Sequence, residues 1–128
     1  MIRVLIPLNP EFQKYKAQVK ELYEKNQENI CDPNPFSFIV KNTFFYIFTI
    51  NGTLIGAIYY FMDEGKLFLN GFANPKNHLN NLLCLKLSTT WFTSPIYAEA
   101  QNRASALCLI RCGFKRVKDN LFCLEHKE

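Results

Sequence analysis

The chain has 128 residues and a formal net charge of +4, with 15 Lys and Arg against 11 Asp and Glu. Apolar residues make up 48% and aromatic residues 15% of the chain, a composition that excludes an intrinsically disordered protein. The mild positive charge suits an anionic ligand such as a nucleotide-bearing cofactor, but it is too small to predict a nucleic-acid partner. We therefore expect one domain spanning residues 1–128 with a sizeable core.

The cysteines predict a reducing, cytoplasmic setting. Their number, five, is odd, and no pair has the two-residue spacing of a zinc knuckle, so we predict no metal site. Cys84, Cys108 and Cys123 lie in apolar stretches and are predicted to belong to the core. The N-terminus has no signal-peptide hydrophobic region and no apolar run reaches membrane-spanning length, so we expect no membrane partner.

The first third of the chain predicts a strand and a helix. Residues 2–8 alternate loosely between apolar and polar, as in a strand. Residues 11–27 place apolar side chains at helical spacing. Residues 29–35 include two prolines and are predicted to be a loop, and the chain is β-rich over residues 38–61.

A three-strand antiparallel meander is predicted next. Asn51 and Gly52 separate two aromatic and β-branched runs, and both residue types tolerate the positive φ of a hairpin turn. A second turn at residues 63–65 leads into a strand over residues 66–73. Asp63 and Glu64 are interpreted only as turn residues.

The second half predicts two helices, a strand between them and a last hairpin over residues 115–125. Residues 78–92 are apolar on more than one side, which predicts a largely buried helix. Residues 96–100 predict a strand. The next helix begins after Asn102, a good N-cap residue, and its predicted apolar face consists of Ala106, Leu107, Leu109 and Ile110.

The helix that follows Asn102 resembles the C-terminal half of the GNAT N-acyltransferase family. That family has an asparagine, a small residue three positions later and Gly-Phe at eleven and twelve positions later, and Asn102, Ser105, Gly113 and Phe114 fit this spacing. The Ala-Ser pair at 104–105 is most similar to the ribosomal-protein N-terminal acetyltransferase branch. An ordinary capped helix ending at a left-handed glycine has the same local features.

The resemblance implies an α+β, three-layer fold. Its sheet is mixed and mainly antiparallel, with six to seven strands, helices on both faces and a splay between the fourth and fifth strands. The predicted element order, β-α-β-β-β-α-β-α-β-β, is that of a GNAT fold lacking its second helix. An unrelated α+β domain remains an alternative.

The resemblance also implies acetyl-CoA as a cosubstrate, bound in the gap between the fourth and fifth strands. The pyrophosphate would lie at the N-terminus of the following helix, where free N–H groups and the helix dipole favour an anion. The cofactor-binding residues implied in this way are Gly71, Phe72, Ala73, Asn77, His78, Leu79, Asn80, Asn81, Asn102 and Ser105.

Three positions depart from the family pattern or leave its chemistry open. The phosphate loop, residues 76–82, contains no glycine, although asparagine tolerates left-handed conformations and Lys76 could supply charge. A tyrosine proton donor seven positions after the asparagine is replaced by Leu109, with Cys108 beside it but about 100° around the helix. Glu99 is the candidate catalytic base, although a carboxylate at a strand end is also an ordinary surface residue.

Two functions are consistent with these features. The first is an N-acetyltransferase that moves acetyl from acetyl-CoA to an amine of a small molecule or protein by direct attack. The second keeps the GNAT fold without catalysis, as a binding or structural module of a phage or mobile element. In that case the aromatic-rich sheet edge would serve self-association, which implies a homodimer.

Overall fold

The computed structural model describes residues 1–126, apart from the side chain of His78, and this part of the chain forms a seven-stranded sheet between two helical layers. The helices are α1 (Phe12–Ile30), α2 (Phe36–Asn42), α3 (His78–Thr89) and α4 (Arg103–Arg111). The strands are β1 (Ile2–Leu5), β2 (Phe44–Ile50), β3 (Thr53–Asp63), β4 (Lys66–Ala73), β5 (Ile96–Glu99), β6 (Lys115–Lys118) and β7 (Leu121–Leu124). Their order in the sheet is β1-β2-β3-β4-β5-β7-β6.

The meander β2–β3–β4 forms as predicted, through two tight turns with positive φ. Asn51 and Gly52 have φ of 50° and 80°, and Gly65 has φ of 77°. Gly56 lies so close to β4 that a Cβ atom there would be 2.6 Å from the carbonyl oxygen of Phe72. Strands β3 and β4 are thus held closely together over their whole length, which leaves the far edge of β4 as the place where the sheet opens.

The predicted splay lies between β4 and β5. These two strands are parallel, and their register comprises two pairs, Leu67 with Ile96 and Phe68 with Tyr97. Within the described residues β4 continues to Ala73 without pairing to β5. The result is a wedge-shaped gap that widens toward the C-terminal ends of both strands.

The two helical layers bury separate cores on the two faces of the sheet, as predicted. Successive residues of a strand point to opposite faces, and Tyr59 and Tyr60 of β3 belong to different cores. Tyr59 packs with Phe12 and Tyr23 of α1. Tyr60 packs with Cys84 of α3, among others.

Helix α2 corrects the prediction that the second helix is missing. The segment 36–42 was predicted to be irregular and then β-rich because it contains aromatic and β-branched residues, which favour strands. It is helical because Phe36 and Ile39, three positions apart, are both buried in the core beside α1. Pro35 precedes it with extended backbone, which starts the helix without costing a hydrogen bond.

The prediction that α3 is largely buried is wrong. Leu79 and Leu83 are 73% and 54% exposed, and Leu87 is also exposed. The buried face instead carries Cys84 and Ser88, and the Ser88 hydroxyl lies 2.8 Å from the hydroxyl of Tyr60. Helix α3 contacts the sheet through one side only, so its other apolar residues face outward.

Helix α4 has the predicted ends but a different buried face. The Asn102 side-chain oxygen accepts the Ser105 N–H at 2.8 Å. At the other end Gly113 has φ of 95° and Phe114 donates its N–H to the Leu109 carbonyl at 3.0 Å, the bonding of a Schellman motif. Leu109 is buried, whereas the predicted core residues Leu107 and Ile110 are exposed.

In residues 1–126 we find no helix with the length and apolarity needed to cross a bilayer.

Candidate functional site

The gap between β4 and β5 contains a cavity of about 300 Å³. It is walled by the free edge of β4, by the end of β5, by the first turns of α4, by Asn81 and Leu85 of α3 and by the end of α1. The predicted site residues that line it are Gly71, Phe72, Ala73, Asn81, Glu99, Asn102 and Ser105. Segments far apart in the sequence thus meet at the place where the sheet opens.

The β4 edge directs backbone hydrogen-bonding groups into this cavity. Asn74 donates its N–H to the Ile55 carbonyl of β3 at 3.0 Å. Consecutive residues of an antiparallel strand direct their backbone groups to opposite sides. Phe72 therefore bonds toward β3, while Gly71 and Ala73 direct their N–H and C=O groups into the gap.

Asn70 connects this edge to the end of α1. Its amide nitrogen donates to the Ile30 carbonyl at 3.1 Å, and its amide oxygen accepts the Gly71 N–H at 2.9 Å. The side chain thereby connects the last residue of α1 to the sheet beside the gap. It also occupies a backbone donor that a ligand pairing with β4 would use.

Within the described part of the chain, helix α3 begins without a side-chain cap at Asn77. Asn74 accepts the N–H of Lys76, one residue before Asn77, at 3.1 Å. Unpaired N–H groups and the helix dipole favour negative charge at such an end. Among the predicted phosphate-loop residues, Asn81 lines the cavity; Asn77, Leu79 and Asn80 lie outside its wall, and the side chain of His78 lies outside the described part.

Helix α4 presents Ala104, Ser105, Cys108 and Leu109 to the same cavity. Cys108 was predicted to point about 100° around the helix from Leu109, but both residues line the cavity because it spans adjacent positions of the helix. Cys108 is half-buried here, whereas Cys84 and Cys123 lie in the core as predicted. Leu109 is only 7% exposed, so the position of the family tyrosine is occupied by core packing.

A second cavity, of about 410 Å³, adjoins the first. It lies between the α1–α2 connection, α2 and the ends of β3 and β4, and it shares part of its wall with the gap. The shared residues are Ile30, Leu69, Asn70, Glu99 and Gln101. Glu99, an exposed side chain at the end of β5, therefore stands at the junction of the two cavities.

A buried polar network forms one wall of the second cavity. Asp32 is 9% exposed, and its Oδ2 accepts the Tyr59 hydroxyl at 2.7 Å. Its Oδ1 accepts the backbone N–H and the side-chain amide of Asn34, at 3.0 and 2.9 Å. Burial, followed by the hydrogen bond to Asp32, raises the pKa of Tyr59, so its hydroxyl stays a donor at neutral pH.

Asp32 was not predicted to be a site residue, and Asp63 was predicted only to be a turn residue. Asp63 is instead the last residue of β3 and lines the second cavity with Asp32. Residues 32–34, Asp-Pro-Asn, have the composition of an Asx turn. The Asn34 N–H donates to the Asp32 side chain and so closes this turn. That signal locates a turn but does not indicate the tyrosine of β3 that completes the network.

No family model and no curated protein matches the chain. Solved structures match it closely in fold. An N-acetyltransferase from Staphylococcus aureus Mu50 superposes with a TM-score of 0.68 at 10% identity, covering 98% of each chain. The Bacillus subtilis N-acetyltransferase YlbP in complex with coenzyme A gives 0.57 at 16% identity, over 98% of this chain and 97% of that one.

A GNAT family acetyltransferase from Brucella melitensis in complex with acetyl-CoA superposes over 100% of this chain and 90% of that chain, with a TM-score of 0.56 and 11% identity. At such low identities these likenesses establish the fold. The protein therefore has the GNAT fold that the sequence resemblance implied.

Proposed function

We propose that this protein is an acyl-CoA-dependent N-acetyltransferase that transfers acetyl from acetyl-CoA to an amine of a small molecule or protein. One observation carries the proposal. The β4–β5 gap and the second cavity meet at Glu99, so a ligand lying along β4 and an acceptor entering from the α1–α2 side would share that junction.

The cosubstrate fits the groups that line the gap. The Gly71 carbonyl and the backbone groups of Ala73 would pair with the amides of the pantetheine arm, as an added strand pairs with a sheet edge, while the Gly71 N–H stays bonded to Asn70. Asn102 and Ser105 would contact the same arm from α4. The pyrophosphate would lie at the N-terminus of α3, near Asn81.

The reaction needs a neutral amine, because its nitrogen must donate an electron pair to the acetyl carbonyl carbon. A C–N bond then forms, the C–S bond breaks, and the nitrogen loses a proton. Glu99, at the junction of the two cavities, would take that proton. The departing thiolate would gain a proton from solvent, since Leu109 offers none.

A second function is binding of acyl-CoA without transfer. It is favoured by the buried Leu109 and by the absence of glycine from residues 76–82. It makes a different prediction, because such a protein would bind acetyl-CoA and acetylate no amine. A homodimer belongs to this second proposal.

Three finer points complete the proposal. Residues 1–128 form a single domain of this kind, and the protein works in the cytoplasm. The similarity of α4 to the ribosomal-protein acetyltransferase branch is also a proposal, based on the Ala-Ser pair at 104–105 alone.

Calorimetric titration with acetyl-CoA tests the proposal. We expect binding with a dissociation constant between about 1 μM and 1 mM, the usual range for enzyme substrates. Ala104 is exposed and lines the gap, so Ala104→Phe should fill the cavity and weaken binding about tenfold or more without disturbing the core.

The matched control is Leu107→Phe, on the exposed side of the same helix and outside the wall of the gap. It should bind acetyl-CoA like the parent protein. Absence of binding at millimolar acetyl-CoA would overturn the proposed function. Binding without release of free thiol over a broad amine panel would favour the second function.

A further inference from the structure

We infer that the acceptor carries two amines, one that reacts in its neutral form and one that stays an ammonium group, as in a short linear diamine or aliphatic polyamine. In this arrangement the reacting nitrogen lies at Glu99 and the second nitrogen lies at Asp32 and Asp63. The inference rests on the proposed function and specifies the substrate class of the same site.

The charge of the second cavity is the first argument. Its described wall carries three carboxylates, those of Asp32, Asp63 and Glu99, and no lysine, arginine or histidine, although the whole chain has a net charge of +4. The ion pairs found within residues 1–126 are Arg3–Glu11 and Lys25–Glu21, so these carboxylates have no cationic side chain as partner.

The lysine closest to Asp63 in the sheet register does not neutralise it. Lys66 is the β4 residue paired with Asp63 across the turn. Its ammonium group instead lies over the ring of Tyr97, 5.2 Å from the centroid, in a cation–π contact. The carboxylate of Asp63 is left to attract a mobile cation at the cavity rim.

The positions of the three carboxylates indicate that the acceptor has a second amine. Glu99 lines both cavities, whereas Asp32 and Asp63 line only the second. A monoamine placed for transfer at Glu99 would leave Asp32 and Asp63 without a counter-charge. A chain with a second ammonium group would place one nitrogen at the junction and the other farther into the cavity.

Part of the wall of the second cavity is aromatic and suits methylene groups. The rings of Phe61 and Phe68 stack there with centroids 5.8 Å apart, and Phe38 of α2 also lines the cavity. Aromatic faces attract ammonium groups as well as alkyl chains. A cavity of about 410 Å³ lies near the lower end of small-ligand sites, so a short aliphatic chain fits it better than a bulky compound.

The Asp32 carboxylate is preorganised to bind the ammonium group. Tyr59 and Asn34 together donate three hydrogen bonds to this carboxylate, which fixes its orientation. A cation therefore meets a carboxylate that is already oriented, and little reorganisation is needed on binding.

Steady-state kinetics with the linear four-carbon diamine and with n-butylamine tests the inference, because the two compounds have the same chain length and differ by one amine. We expect the parent protein to acetylate the diamine with a kcat/KM about tenfold higher or more, mainly through a lower KM. Asp63→Asn should raise the diamine KM about three- to tenfold and leave n-butylamine unchanged. The neighbouring Glu64→Gln removes the same charge outside the cavity wall and should leave both compounds unchanged.

Asp32→Asn gives a second variant, to be compared after its fold is checked by circular dichroism, and it should raise the diamine KM further. Equal efficiency on the two amines, or no acetylation of the diamine, in a protein that binds acetyl-CoA would overturn this inference and leave acetyl-CoA binding standing. An unchanged diamine KM in both aspartate variants would overturn it too. Failure to bind acetyl-CoA would overturn the proposed function itself.

Discussion

Tyr59 shows how one residue connects the core to the candidate acceptor cavity. Its ring is fully buried and stacks on Phe45 with centroids 5.9 Å apart, while its hydroxyl donates to Asp32 in the cavity wall. Burial is the main cause of the raised pKa of Tyr59, and it also raises the pKa of Tyr23 to about 12. Both residues therefore keep their protons in the folded protein at pH values where an unfolded chain loses them.

The raised pKa of Tyr59 predicts a loss of stability in alkali. An exposed tyrosine ionises near its ordinary pKa of 10.0, so above that pH the unfolded state binds fewer protons than the folded state and the free energy of unfolding falls as pH rises. Each such tyrosine contributes up to about 1.4 kcal/mol per pH unit. Below pH 10 this contribution is fully present.

Urea unfolding of the parent protein and of Tyr59→Phe between pH 7 and pH 11 measures the effect. At pH 7 the variant should lose about 1–3 kcal/mol, because Asp32 loses a buried hydrogen-bond donor. Above pH 10 the stability of the variant should fall less steeply than that of the parent. The two proteins differ only at residue 59, so the difference between their slopes reports on Tyr59, and parallel slopes would contradict the raised pKa of Tyr59.

At the scale of elements, the accuracy of sequence prediction depended on whether the signal was local. The α4 ends at Asn102 and Gly113 and the hairpin at Asn51 were predictable because cap and turn residues act within one turn of the chain. Helix α2 was not, since its aromatic residues favour a strand and only burial beside α1 makes them helical. The exposed leucines of α3 were misjudged for the same reason, because sequence does not show how many sides of a helix the sheet covers.

The Schellman motif at Gly113 gives a prediction for α4. Gly113 has φ of 95°, in the left-handed region, where a Cβ is disfavoured. Gly113→Ala should therefore lower the free energy of unfolding by about 1–2 kcal/mol. Gly113→Asn should cost less, because asparagine tolerates that region. Thermal or urea unfolding measures both, and equal losses would indicate that the 3.4 Å approach of a Cβ to Leu124, rather than φ, controls the site.

At the scale of the whole molecule, the fold and the β4–β5 gap were predictable from the sequence, whereas the second cavity was not. The order of strands and helices, together with the α4 motif, indicated a sheet that parts between β4 and β5. Asp32, Tyr59 and Asp63 come together only through packing of α1 and α2 on the meander. No short-range pattern links a loop aspartate to a tyrosine 27 positions away.

We propose that acyl-CoA binds along the free edge of β4, and NMR on protein labelled with ¹⁵N-glycine tests this binding mode most directly. The chain has five glycines, and their amides report on separate places in the fold. On addition of acetyl-CoA the Gly71 amide, which faces the gap, should shift strongly, while Gly52, in the β2–β3 turn, should not. A Gly71 signal that stays in place at saturating acetyl-CoA, or shifts no larger there than at Gly52, would contradict the account.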